Sequence, residues 1–147
     1  MKGIIYELPA IKPITIGYID NAGLSDRILV AADNFFTDDA FPGPVDYILF
    51  SNIFHDWPDE VNLNLISKAY NCLCPGGKIV ISELLLSDDV KSSTPSSTST
   101  NVMMLPGTKG RQYRPKELFQ RLKRAGFVDP HVKSLVDDYE LIVATKP

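Results

Sequence analysis

Cysteine is scarce in this 147-residue chain, and its two examples, Cys72 and Cys74, stand too close for an easy disulfide and lack metal-spaced partners. That excludes a disulfide-stapled scaffold, leaves no candidate metal site, and reads as free thiols of a reducing compartment. A basic excess is missing too: the net charge is −3 and the pI near 5.3, which offers no basic face to nucleic acid or an anionic membrane. No apolar run reaches the ~18 residues of a membrane span, and Met1-Lys-Gly-Ile-Ile-Tyr6 is too short for a signal h-region. The sequence also has no Asn-x-Ser/Thr acceptor and no Gly-x-Gly-x-x-Gly. The expectation is a cytoplasmic protein with neither a nucleic-acid nor a membrane partner.

What is present is ordinary globular material. With 44% hydrophobic and 22% charged residues, the chain can build one domain with a real core. Gly3 to Tyr6 reads as a strand stopped at Pro9, and residues 10–22 are ambiguous because Pro13 and Ile14-Thr15-Ile16 weaken a helix. Arg27 to Ala32 and Asp46 to Phe50 read as further strands. Val61, Leu65, Ala69 and Leu73 recur every four residues, predicting a helix over 58–73 ended by Pro75-Gly76-Gly77. Lys78 to Ser82 is then a strand running into Glu83 and Leu86, which completes a βαβ unit with parallel strands. Lys91 to Thr100 is Ser/Thr-rich with no apolar residue except proline, so 87–100 is expected to be a flexible linker. It separates the sheet region, 1–86, from a C-terminal piece, 101–147. That piece holds a helix over 115–125 and two strands, 128–136 and 139–145, joined tightly through Asp137-Asp138.

One stretch stands out. Asn52-Ile-Phe-His55-Asp56-Trp57-Pro58-Asp59-Glu60 follows the apolar run 45–50, at a strand's carboxyl end, where open α/β sheets meet their ligands. A neutral imidazole there, with an ordinary pKa of about 6.5, is a candidate general base. The same residues also suit a plain helix start, with Asp56 as N-cap, Pro58 in the first turn, and Asp59 and Glu60 at the positive end of the dipole.

Taken in order, Ile5-Tyr-Glu-Leu-Pro9, Ala32-Asp-Asn-Phe-Phe36, Asp46-Tyr-Ile-Leu-Phe-Ser51, His55-Asp-Trp-Pro-Asp-Glu60, Cys74-Pro-Gly-Gly77 and Gly126-Phe127 resemble the S-adenosylmethionine-dependent small-molecule O-methyltransferases. That family includes the caffeic acid and N-acetylserotonin enzymes. The resemblance implies an α/β, Rossmann-like catalytic domain that moves a methyl group from S-adenosylmethionine to a hydroxyl, usually on a small aromatic molecule. His55 matches the base and Glu83 the glutamate that fixes the imidazole, the lesser alternative for Glu83 being a solvated surface carboxylate. Glu7 matches the ribose-binding acid, and Asp33 with Phe35 matches the adenine-edge pair. Trp57 packs on the cofactor or in the core, and Ser51 stands where plant members tend to carry lysine.

The departures from the family pattern are equally specific. Gly110-Arg-Gln-Tyr-Arg114 replaces Gly-Lys/Arg-Glu-Arg-Thr, so Gln112 stands where a second supporting carboxylate would be. Met103 and Met104 replace a substrate-facing Asn-Met pair, as pocket residues or as core filler. The Gly-rich strand–loop–helix of the family is not found ahead of Gly3, nor is its N-terminal helical domain, which builds the dimer. The expectation is a sheet truncated at its N-terminal side, a homo-oligomer in the full-length form, and, for this chain alone, weak cofactor binding and a tendency to self-associate through open strand edges. The alternative is a non-catalytic remnant or regulatory module.

Overall fold

The computed structural model describes residues 1–104, 106–135 and 138–147. Two compact units divide the chain, 1–43 and 44–147, so the boundary falls ahead of the third strand and not at the Ser/Thr-rich segment.

In the first unit, β1 (Gly3–Glu7) and β2 (Ile28–Ala32) pair in parallel, with Gly3 opposite Ile28 and Glu7 opposite Ala32. The ambiguous segment between them is helical, α1 (Lys12–Asn21), with proline at its start, where a missing N–H costs nothing. Ile19 is its buried residue, and Gly23, at a φ of +65°, takes the chain out of the helix.

The second unit is built on a four-stranded sheet in the order β3-β4-β6-β5. β3 (Val45–Ser51), α2 (Asp59–Cys72) and β4 (Leu73–Leu84) form the expected βαβ unit, its two strands parallel. β5 (Val128–Ser134) and β6 (Tyr139–Thr145) are antiparallel, and β6 also runs antiparallel to β4. The expected continuation of the first of these strands to Val136, and the join at Asp137, lie outside the described residues. The sheet is thus mixed. Its core comes from alternate positions of β4 (Ile79, Ile81), from Ile142 and Ala144 of β6, and from Leu65, Ile66 and Ala69 of α2. Helix α4 (Pro115–Arg124) adds Leu118 and Leu122. Pro115 opens it, Glu117 accepts the Arg114 backbone N–H in a capping box, and Arg121, Lys123 and Arg124 complement its last turn.

Three expectations need correction. Helix α2 begins at Asp59 with Pro58 as its N-cap, so Asp56 does not cap it; His55 and Asp56 lie in a separate 3-10 turn, Phe54–Asp56. Pro75-Gly76-Gly77 sits within the irregular start of β4, because strand pairing resumes at once from Leu73 opposite Val45. The expected linker carries a helix, α3 (Pro95–Met104). Thr94 opens it by accepting the Ser97 N–H, and Asn101 ties it to Gln112, so local hydroxyl bonding supplies the order that apolar area does not.

Candidate active site

β4 alternates strictly from Gly77 onward: 77, 79, 81 and 83 are buried, the residues between half-buried. This parity sends Glu83 inward beside Ile79 and Ile81, leaving it 1% exposed. A carboxylate there needs partners, and the chain leaving β3 provides them. The ladder extends one residue past the strand, through the Asn52 N–H to Ser82 O. Asn52 then takes a φ of +53°, a left-handed conformation that asparagine tolerates. The resulting turn presents the N–H groups of Ile53 and Phe54 to Glu83 Oε1, at 3.0 and 2.8 Å. Phe54 is fully buried and meets the Phe50 ring edge-on, which pins the turn to the sheet.

His55 is the next residue, and its Nδ1 lies 2.6 Å from Glu83 Oε2. The two atoms are close without the alignment of an ideal hydrogen bond, and among the described residues neither has another partner. Distance decides here: the charge-assisted contact compensates both atoms. The close contact with Glu83 raises the His55 pKa above its ordinary value, burial opposes it, and the charges of Glu83 and Asp56 add to the rise. Nε2 faces the other way, 3.6 Å from Asp56 Oδ1, beyond hydrogen-bond reach. One ring nitrogen is therefore engaged by a buried carboxylate while the other is left for a reacting proton. That is the arrangement of an oriented general base.

The 110–114 stretch packs directly on this turn. A Cβ on Gly110 would overlap His55 O and fall 2.6 Å from Trp57 N, so only glycine permits the approach. Gln112 is 1% exposed and its backbone N–H donates to Asn101 Oδ1, yet among the described residues its carboxamide makes no hydrogen bond. It does not hydrogen-bond the imidazole. Met103 and Met104 diverge: Met104 is buried at 7% exposure, Met103 lies open at 75%. Trp57 is half-buried at the end of the turn, and Ser51 is exposed at the end of β3.

Glu7, Asp33 and Phe35 belong to the first unit. There Glu7 and Asp33 meet at the carboxyl ends of the parallel pair, where the Asp33 N–H donates to Glu7 O at 2.9 Å. A hydrogen bond with Asp38 raises the Asp33 pKa, and the Tyr6 hydroxyl also donates to Asp38. Phe35 is half-buried, its ring 4.5 Å from that of Phe36.

Asn62, Tyr113 and Gly110 were not singled out as site residues from the sequence. Asn62 had a signal: it is a polar residue three and four positions before Leu65 and Ile66, on the apolar stripe of α2. Tyr113 shows only as a departure from the family pattern.

The family model for the O-methyltransferase domain matches residues 1–128. A 3-hydroxy-5-methyl-1-naphthoate 3-O-methyltransferase from Streptomyces sahachiroi is 36% identical over 126 residues, covering 86% of this chain and 36% of that protein. An L-tyrosine C(3)-methyltransferase from Streptomyces lavendulae is 32% identical, over 97% of this chain and 40% of that protein. The crystal structure of human N-acetylserotonin methyltransferase in complex with SAM superimposes with a TM-score of 0.84 at 26% identity, over 99% of this chain and 40% of that one. The chain therefore spans about two fifths of the length of the relatives it matches.

Proposed function

The chain belongs to the O-methyltransferase domain family, and we propose that it carries the catalytic base of an S-adenosylmethionine-dependent methyl transfer to a hydroxyl of a small aromatic molecule. The observation that carries the reading is Glu83, buried and shared between the turn amides and His55 Nδ1. A phenol of pKa about 10 is a weak nucleophile at neutral pH until its proton is removed. Neutral His55 takes that proton at Nε2, and the Glu83 carboxylate stabilises the resulting imidazolium through Nδ1–H. Gln112 would lend the site shape without charge, and Met103 and Met104 would contribute to the acceptor pocket.

Glu7 and Asp33 fit the proposed cofactor. Both close the same end of a parallel strand pair, and a carboxylate can accept from two ribose hydroxyls while Asp33 and Phe35 take the adenine edge. On family resemblance alone, Ser51 and Trp57 are proposed as cofactor positions. When bound, S-adenosylmethionine supplies an electrophilic methyl group on a sulfonium. Residues 1–147 contain no Gly-rich strand–loop–helix. This is the observation behind the second reading, a module that does not bind the cofactor alone, and it makes the isolated chain a weak binder. Free Cys72 and Cys74 fit a cytoplasmic location, and a homo-oligomer is proposed for a full-length form. Among the described residues no helix is long and apolar enough to cross a membrane.

The test is methyl transfer to a panel of phenols by the longest product the gene encodes, with and without His55→Gln. Turnover should fall about 10²–10⁴-fold while cofactor affinity holds. Near-normal turnover in the variant would remove His55 from the mechanism. Phenolate charge is shared with ring carbon, and one relative is named a C-methyltransferase, so product analysis must distinguish ether from ring methyl.

A further inference from the structure

Glu83 holds the His55 turn by its amides, and the carbonyl side of the same turn has its own partner. Asn62 is fully buried, and its Nδ2 lies 2.7 Å from Phe54 O and 3.1 Å from Trp57 O, the carbonyls on either side of His55. Carbonyls only accept, so the amide nitrogen must face them, and the side chain cannot be flipped without putting oxygen against oxygen. A third acceptor, the Tyr113 hydroxyl, lies 2.9 Å away, so two N–H groups serve three oxygens. Among the described residues Asn62 Oδ1 has no hydrogen-bond partner, an unfavourable burial that an apolar residue on this stripe would avoid.

Tyr113 is fixed in turn. It is 1% exposed, its hydroxyl donates to Asp59 Oδ1 at 2.6 Å, and burial with that bond pushes its pKa up to about 12. Its ring lies under the guanidinium carbons of Arg111 and Arg121, at 4.6 and 5.0 Å from the centroid. Arg121 from α4 closes the circuit on Asp59 Oδ2 at 2.5 Å. The hydroxyl therefore has one place to be, and Asn62 takes its orientation from it.

Resting on the reading of His55 as the base, we propose that Asn62 and Tyr113 are positioning residues, a latch that sets the His55 turn from its carbonyl side and so keeps the ring on Glu83. Release of the carbonyls lets the turn shift, and the 2.6 Å contact at Nδ1 is the first to suffer. A displacement of about 1 Å at a reacting group can lower turnover by about 10²-fold.

The experiment uses the 147-residue chain and follows the His55 ring by NMR titration, with the signal assigned by its loss in His55→Gln. Asn62→Ala should bring the His55 midpoint down towards the ordinary value of about 6.5. Tyr113→Phe, which keeps a ring for the guanidiniums to pack on, should move it in the same direction by less. Leu65→Ala, a core truncation in the same helix that removes no hydrogen bond to the turn, should leave it in place. In a form that turns over, kcat should fall about 10–10²-fold for Asn62→Ala with the cofactor KM within about twofold. If Asn62→Ala does not fold, Tyr113→Phe decides. An unchanged His55 midpoint in the folded variants overturns the latch. Retained turnover in His55→Gln would overturn the base instead, and leaves the titration result standing.

Discussion

Replacing Glu83 by glutamine keeps the volume of the side chain and removes one charge, which isolates what the carboxylate does. The carboxamide oxygen of the new side chain could still accept from the N–H groups of Ile53 and Phe54. Bonds to a charged acceptor contribute about 1.5–3 kcal/mol against about 0.5–1.5 for neutral ones, so the two together weaken by about 2 kcal/mol. The third contact changes kind. An amide NH₂ opposite His55 Nδ1 favours the tautomer with its proton on Nε2, the atom that should receive the substrate proton. Turnover should therefore drop towards that of His55→Gln without passing below it. The stability loss carries a pH signature whose sign is fixed. In the wild type the His55 pKa is raised chiefly by Glu83, so the charged pair stabilises fully below the unfolded value of about 6.5 and its contribution fades as pH climbs through the folded value. Without the carboxylate, burial pulls the other way and the Asp56 charge is left to oppose it. The gap between wild type and Glu83→Gln, read by urea unfolding of the 147-residue chain, should be about 2–3 kcal/mol near pH 6 and narrow by about pH 9. A gap below about 0.5 kcal/mol near pH 6, or one that widens with pH, would show that Glu83 does not grip the turn as described.

Gln112→Glu restores a carboxylate beside the turn; turnover should rise or hold, and a loss of activity would mean that this chain uses the amide itself. Limited proteolysis should nick residues 91–100 first, since α3 is made of poor helix formers that bury little beyond Ser97 and Met104; cleavage at the termini alone would mean that the segment is firmly packed. Calorimetric titration of the isolated chain with S-adenosylmethionine should give little heat, because no Gly-rich loop lies within it and several hydrogen bonds of about 1–3 kcal/mol each are missing. Micromolar binding by a monodisperse sample would instead require a site not described above.

The strands and the βαβ unit were legible because they rest on local periodicity: apolar runs for β1 to β4, a four-residue stripe for α2. His55 and Glu83 were paired on the family resemblance, and the parallel neighbours β3 and β4 carry the two side chains to the same edge, where they meet. Helix α1 was obscured by Pro13 and three β-branched residues, which depress intrinsic propensity; packing on β2 overrides them. Helix α3 was missed for the opposite reason, since its order comes from Thr94 and Asn101 hydroxyl and amide bonds that a hydropathy pattern does not register. The carbonyl side of the His55 turn was invisible because it depends on Tyr113, 51 residues away from Asn62. Gly110 has the same difficulty: it sits in a recognised motif, but its need for no Cβ appears only when the backbone of His55 and Trp57 is beside it.

The same carboxylate holds the fold of the turn and the chemistry of the base, and this limits what substitutions can teach. Glu83 faces the core because β4 parity puts it there, and at 1% exposure it can remain only if donors meet it. The turn supplies two amides and His55 supplies the third contact. Any change at Glu83 therefore moves stability and activity together, and a loss of turnover there cannot by itself identify a base. His55→Gln is different, because both Oε1 bonds and the Phe54 anchor stay in place while the titrating ring is gone. A variant that loses turnover while unfolding at nearly the wild-type urea concentration would assign the proton transfer to His55. If stability collapses to the level of Glu83→Gln, the imidazole is instead part of what makes the buried carboxylate tolerable, and the loss of turnover would follow from the turn rather than from the base.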